Sequence, residues 1–258
     1  MKGKTFKPPQ AKKKEKRLVL HGQERIDHYY WMNDRDNAEV IDYLEEENKY
    51  YKAMTADSDD FQKALYEEMK GRIKEDDETV PYKKNDYYYI TRFESGKQYP
   101  IYTRKKHSLE SDEQVLFDVN RMAKGHDYYR LSGLSVSPDN SLASFGSDTV
   151  GRRQYNIQFK DLRTNELLPE IVENTTGSAA WASDNKTIFY TRKDPVTLRS
   201  NKIFRHDLGT DPVNDVEVYH ETDESFSVYV YRSKSEKYIM IGSYSTLSTE
   251  YRYLSADN

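Results

Sequence analysis

The chain has 258 residues with 40 Lys+Arg against 44 Asp+Glu, 33% charged and 36% hydrophobic residues, 23 Tyr and no cysteine. An aromatic share of 13% is too high for a disordered chain, although a mean hydropathy of −1.01 is very polar for a compact one. The absence of cysteine excludes disulfides, thiolate metal sites and a cysteine nucleophile.

Residues 1–17 carry seven Lys and Arg17 against the single Glu15. This reads as a basic, flexible tail, not a nucleic-acid-binding arm, because the run holds only a single aromatic residue for base stacking, Phe6. The first 20 residues lack the apolar core of a secretory signal, and no run approaches the roughly 20 apolar residues that span a bilayer. The expectation is a cytoplasmic chain with no membrane and no nucleic-acid partner.

An extension over 18–78 is expected to hold two helices. Asp36 and Glu39 stand three apart, as in a capping box, ahead of Val40, Ile41, Tyr43, Leu44, Tyr51 and Met54 on one face. For the second helix, Asp57 or Ser58 is the candidate cap, and Phe61, Leu65, Met69 and Ile73 recur every four residues. Both stripes read as core-packing faces.

After Glu78 the period changes from 3.6 to 2. Short segments at Tyr87 to Arg92, Tyr99 to Arg104 and Gln114 to Val119 are separated by turn residues such as Glu94-Ser95-Gly96-Lys97, which predicts antiparallel strands. A repeat then emerges: Ser137-Pro138-Asp139-Asn140 recurs as Ala182-Ser183-Asp184-Asn185, 45 positions on, and a third polar turn, Ser233-Lys234-Ser235-Glu236, follows. The dipeptides Asp118-Val119, Asp161-Leu162 and Asp207-Leu208 keep the same step, 43 and 46 apart. A period in the forties with about four short strands per unit is the signature of β-propeller blades. The fold class is therefore all-β, a partial propeller over 79–258. Its blades fall at about 80–124, 127–173, 177–222 and 225 to the end, the last with three predicted strands.

Catalytic motifs are missing from this sequence. It contains no G-x-S-x-G elbow, phosphate loop, dinucleotide turn or H-E-x-x-H pair. The six histidines are dispersed, and His21 and His28, seven apart, read either as a metal pair or, more simply, as surface residues. Asp148, Arg152, Arg153 and Tyr155 cluster in one predicted loop. Adjacent arginines there suit a carboxylate clamp or, more simply, a solvated surface. No catalytic residue, cofactor or metal ligand is assigned.

Several long segments closely resemble the N-terminal region of the oligopeptidase B branch of the prolyl oligopeptidase family of serine peptidases. They are Leu20-His21-Gly22-Gln23-Glu24-Arg25-Ile26-Asp27-His28-Tyr29-Tyr30-Trp31-Met32, Val40-Ile41-Asp42-Tyr43-Leu44-Glu45-Glu46-Glu47-Asn48, Arg153-Gln154-Tyr155, Trp181-Ala182-Ser183-Asp184-Asn185 and Arg192-Lys193-Asp194-Pro195-Val196-Thr197-Leu198. The resemblance implies a helical extension, a seven-bladed propeller and a C-terminal α/β-hydrolase domain with a Ser, Asp and His triad, which cuts short peptides after Lys or Arg. On that reading the chain is the extension plus about four blades, inactive alone, with the missing hydrolase domain as partner and short basic peptides as substrates of the whole. The propeller restricts access to the active site. The Arg152–Arg153 loop and Thr176 resemble its substrate-channel or interdomain positions, although Thr176 departs from the acidic residue that some relatives carry. The competing reading is a stand-alone propeller-like module that binds peptides or proteins without cutting them.

Overall fold

The computed structural model describes residues 7–257, and the chain divides into two compact units between Lys74 and Glu75.

The first unit opens with a hairpin of β1 (Lys16–Leu20) and β2 (Gln23–Asp27), turned by His21 and Gly22, both at positive φ. Two helices follow, α1 (Ala38–Thr55) and α2 (Asp59–Gly71). Residues 1–6 of the expected flexible tail lie outside the described residues. Residues 7–17 run back over the unit: the Lys14 amide donates to the His28 carbonyl, the Trp31 indole donates to the Lys12 carbonyl at 2.9 Å, and Lys12 and Lys14 both pair with Glu39.

Three expectations for this unit are corrected. Asn37, not Asp36, caps α1, its side chain accepting from the Glu39 amide, while the Glu39 carboxylate is taken by the two lysines. Ser58, one of the two candidates, does stand at the N-cap position of α2, but its side chain makes no capping bond, because its hydroxyl donates back to the Thr55 carbonyl. The expected core stripes are not core: Phe61 and Ile73 are 68% and 67% exposed, and Val40 is the buried hydrophobic residue of the two helices. Amphipathic spacing selects a face but supplies no partner for it.

The second unit is built of strands. β3 (Asp77–Glu78), which the sequence reading leaves in the extension, and β4 (Tyr82–Lys84) both pair with β5 (Tyr87–Phe93), followed by β6 (Ile101–Lys106) and β7 (Glu113–Asp118), to make blade one. A short helix α3 (Val119–Met122), capped by Asp118, leads to β8 (Arg130–Val136), β9 (Leu142–Asp148) and β10 (Tyr155–Asp161). The long β11 (Glu166–Trp181) pairs with β10 through its first part, completing blade two, and with β12 (Thr187–Lys193) through its second. It therefore also opens blade three, which continues with β13 (Ser200–Asp207) and β14 (Val216–His220). The handover occurs where Asn174 and Gly177 take φ of +59° and +88° and the register shifts. Blades two and three are joined in this way into one seven-stranded sheet. Blade four is β15 (Ser227–Arg232), β16 (Tyr238–Tyr244) and β17 (Thr249–Ser255).

Each core lies between neighbouring blades. Tyr89 and Phe117 of blade one meet Ala143 and Phe145 of blade two; Phe159 of blade two meets Trp181 and Tyr190 of blade three; and Ile203 of blade three meets Val228 and Ile239 of blade four. Along β12 the period of two sends Ile188 and Tyr190 toward blade two and Phe189 toward blade four. Both faces of that strand are buried, which explains its unbroken apolar run Ile188-Phe189-Tyr190.

The repeated turns share one backbone solution. Asn140, Asn185 and Glu236 sit at φ of +63°, +62° and +61°, and Asn85 in blade one at +52°. Asparagine tolerates this left-handed region at little cost.

Candidate functional site

Antiparallel order puts the Asn140, Asn185 and Glu236 turns at one edge of the blades. The β9–β10 and β12–β13 loops and the β11 handover fall at the other. The site residues expected from sequence lie on this second, loop-side edge.

Buried Asp148 ends β9 and organises the loop that follows. Its Oδ1 accepts from the Val150 and Gly151 amides, both at 2.9 Å, and its Oδ2 from the Arg153 amide at 2.8 Å. With both carboxylate oxygens accepting from backbone amides, Asp148 fixes the loop without forming an ion pair with its arginines. Gly151 at φ +85° and Arg153 at +56° complete the tight path, and both Arg152 and Arg153 are exposed.

Thr176 is half-buried at the β11 handover. Its neighbour Thr175 is fully buried, donates to the Tyr155 carbonyl at 2.9 Å, accepts from the Gly177 amide, and is the register partner of both Tyr155 and Arg192. A Cβ on Gly177 would lie 2.7 Å from the Tyr155 ring, so only glycine fits there. The Thr175 backbone thus brings Thr176 beside the end of the arginine loop, joined through Tyr155; no hydrogen bond among the described residues links Thr176 to either arginine.

Two cations that sequence reasoning did not select join this edge. Lys193 donates to the Arg153 carbonyl, and burial first, then the Arg153 charge, holds its ammonium below the usual lysine range. Arg130, at the start of β8, is the register partner of Asp148. Lys193 stands 40 positions from Arg153 and Arg130 stands 22 before Arg152, so no short motif connects them.

The first strands of the blades converge on a second feature. A cavity of about 390 Å³ is lined by Lys84, Gly133–Val136, Ser178–Trp181 and Val230–Arg232. Small residues line the part of it where β8 and β11 approach closely: a Cβ on Gly133 would lie 2.1 Å from the Gly177 carbonyl oxygen.

Comparison with known proteins gives these features a context. Residues 8–258 match the family described as prolyl oligopeptidase, N-terminal β-propeller domain. The chain is 42% identical over 262 residues to dipeptidyl aminopeptidase BI of Pseudoxanthomonas mexicana, covering 95% of this chain and 36% of that protein. It is 35% identical to Protease 2 of Moraxella lacunata, covering 98% of this chain and 38% of that one. Among solved structures, oligopeptidase B from Leishmania major superposes with a TM-score of 0.90 at 31% identity, covering 98% of this chain and 38% of the other. The chain thus spans well under half the length of these relatives.

Proposed function

The chain belongs to the prolyl oligopeptidase family, as its N-terminal β-propeller domain, and from this premise we propose that it is the access-controlling part of a serine-type peptidase resembling oligopeptidase B. The whole enzyme would hydrolyse short peptides after Lys or Arg. Its partner would be a C-terminal α/β-hydrolase domain bearing the triad, and no residue of this chain is given a catalytic role.

One observation carries the reading: Arg152, Arg153, Lys193 and Thr176 are gathered on one edge of blades whose first strands line a cavity of about 390 Å³. A space of that size lies within the range of small-ligand pockets and admits an extended peptide, not a folded chain. In this proposal the arginine loop and Thr176 face either the substrate channel or the hydrolase domain. A cytoplasmic location, consistent with the cysteine-free sequence, belongs to the same proposal.

The test is hydrolysis of Arg- and Lys-containing reporter peptides. Purified chain alone is expected to give none, and the chain joined to a hydrolase domain of the Protease 2 type is expected to give turnover. Turnover that persists in the chain alone would overturn the proposal. The 42% identity to a dipeptidyl aminopeptidase favours a second reading, release of dipeptides from free N-termini. Blocking the N-terminus of the reporter separates the two, since only the second activity requires a free amine.

A further inference from the structure

Beside the Arg152–Arg153 loop, on the same edge, lies a separate cavity of about 460 Å³ that the reading above does not use. Its walls include Tyr99, Tyr102, Tyr128, Tyr129, Asp127 and Arg130. These come from two stretches separated in sequence: the end of the β5–β6 loop running into β6, and the junction that opens β8. The Tyr128 ring is 3.7 Å from where a Cβ on Gly151 would stand, so the cavity and the arginine loop are contiguous.

Arg130 is the unusual member. It is exposed, and among the described residues it has neither an ion pair nor a side-chain hydrogen bond. Its nearest carboxylate by register, Asp148, already has both oxygens engaged by backbone amides. Asp127 is exposed and makes no ion pair with it. The guanidinium acts on two neighbouring phenols: burial pushes the Tyr102 hydroxyl up, and the Arg130 charge opposes this, as it does at Tyr155. The cavity therefore combines an unpaired planar fork of N–H donors with several aromatic rings and hydroxyls, next to two more exposed arginines.

We propose that this cavity is a carboxylate-binding subsite that takes the C-terminal end of a short peptide, Arg130 holding the terminal carboxylate and the tyrosines enclosing the last side chain. The guanidinium fork matches a carboxylate in a way that a point charge does not. Tyrosine supplies both ring surface for an apolar side chain and a hydroxyl for the peptide backbone. The proposal rests on the peptide-facing reading of this edge, but it concerns binding and not cleavage.

The experiment is a calorimetric titration of the purified chain with one short peptide in three forms: free acid, C-terminal amide, and amide with an internal Glu. The free acid is expected to bind about tenfold more tightly than the amide, the size of one charge-assisted contact. Arg130→Gln is expected to erase that ratio by weakening only the acid. Arg163→Gln, which alters an arginine paired with Asp161 at the opposite, turn-side edge, is expected to preserve it. Equal binding of acid and amide, a ratio that survives Arg130→Gln, or no binding at all would overturn the proposal. An internal-Glu amide that matches the free acid would overturn the assignment to a chain end. Because no bond is cut in this assay, its failure leaves the hydrolysis test untouched, and an inactive fusion leaves the binding result standing.

Discussion

Between blades two and three Ile157, Phe159 and Ile188 are completely buried, whereas on and just past the second helix of the extension Phe61, Met69 and Ile73 are each at least 60% exposed. Both regions follow a regular apolar period, 2 in one and close to 3.6 in the other. The difference lies in what each period faces. A blade is one repeat in a row, so each face that its period defines meets the next repeat, and the three apolar cores all lie between blades. The extension has no such neighbour of its own kind, and Val40 is the buried hydrophobic residue of its helices. Amphipathic patterning is thus a statement about a face, and burial is a statement about its partner.

The largest expected effect tests this contrast directly. Phe159 is fully buried, its ring 6.1 Å from those of Trp181 and His206. Phe159→Ala is expected to cost about 3–5 kcal/mol, the range for a truncated buried aromatic. Phe61→Ala on the extension is expected to change stability by less than about 0.5 kcal/mol, as for an exposed position. Urea unfolding followed by Trp181 fluorescence reports the first, and helical circular dichroism the second. A comparable loss from Phe61→Ala would mean that the helix face is buried after all, and the comparison would fail.

The next effect is at the arginine loop, where the propeller spends a buried carboxylate on backbone. Asp148→Ala leaves the Val150, Gly151 and Arg153 amides without their acceptor. A loss of about 1–3 kcal/mol is expected, the cost of an unsatisfied buried group. Trypsin, which cuts after arginine, provides a local readout: cleavage at Arg152 and Arg153 is expected to accelerate more than global unfolding alone allows. Unchanged cleavage would show that Asp148 does not organise the loop.

How much of this was legible in the sequence follows the same division between face and partner. Strands such as Tyr87–Phe93 and Glu113–Asp118 were readable to within a residue or two, because alternation and turn residues are local signals. The repeated turns were readable for the same reason, since Asn140 and Asn185 meet a backbone requirement that few residues tolerate. The hairpin Lys16–Leu20 and Gln23–Asp27 was not, because both strands are largely exposed and show no alternation; its one usable signal was the positive-φ pair His21-Gly22. In the site, Asp148, Arg152 and Arg153 were visible as one cluster, but Arg130 and Lys193 arrive from other strands through register alone. No spacing rule reports a cross-strand neighbour.

A smaller effect concerns the start of α1. Asn37→Ala removes the acceptor for the Glu39 amide and is expected to cost about 1 kcal/mol. Faster hydrogen exchange confined to the Glu39 and Val40 amides would report it. The propeller amides are expected to stay unchanged, because the two units are compact separately. Exchange that rises in both units together would instead show them unfolding as one.

The smallest effect separates the two regions by the kind of force that fastens them. In the propeller, links between blades are shielded: Lys160 of blade two donates to the Leu116 carbonyl of blade one at 2.6 Å, from a side chain whose ammonium is pushed down by burial. In the extension, Lys12 and Lys14 fasten the basic segment to α1 through the half-buried Glu39. Hydrogen bonds from Lys12, then Lys14, hold the Glu39 carboxyl down at about 2, below its ordinary 4.5. A depressed folded value contributes stability that is complete above pH 4.5 and lost as the pH falls toward 2. Titrating the Glu39 side chain by NMR is therefore expected to give a midpoint near 2 at low salt. In 1 M salt, where the screening length falls to about 3 Å, that midpoint is expected to move back toward the ordinary value. The blade-to-blade contact at Lys160 is expected to be unaffected by the same salt. A Glu39 midpoint of 4.5 at low salt would show that the lysines do not hold the segment, and the extension would then lack its main electrostatic fastening.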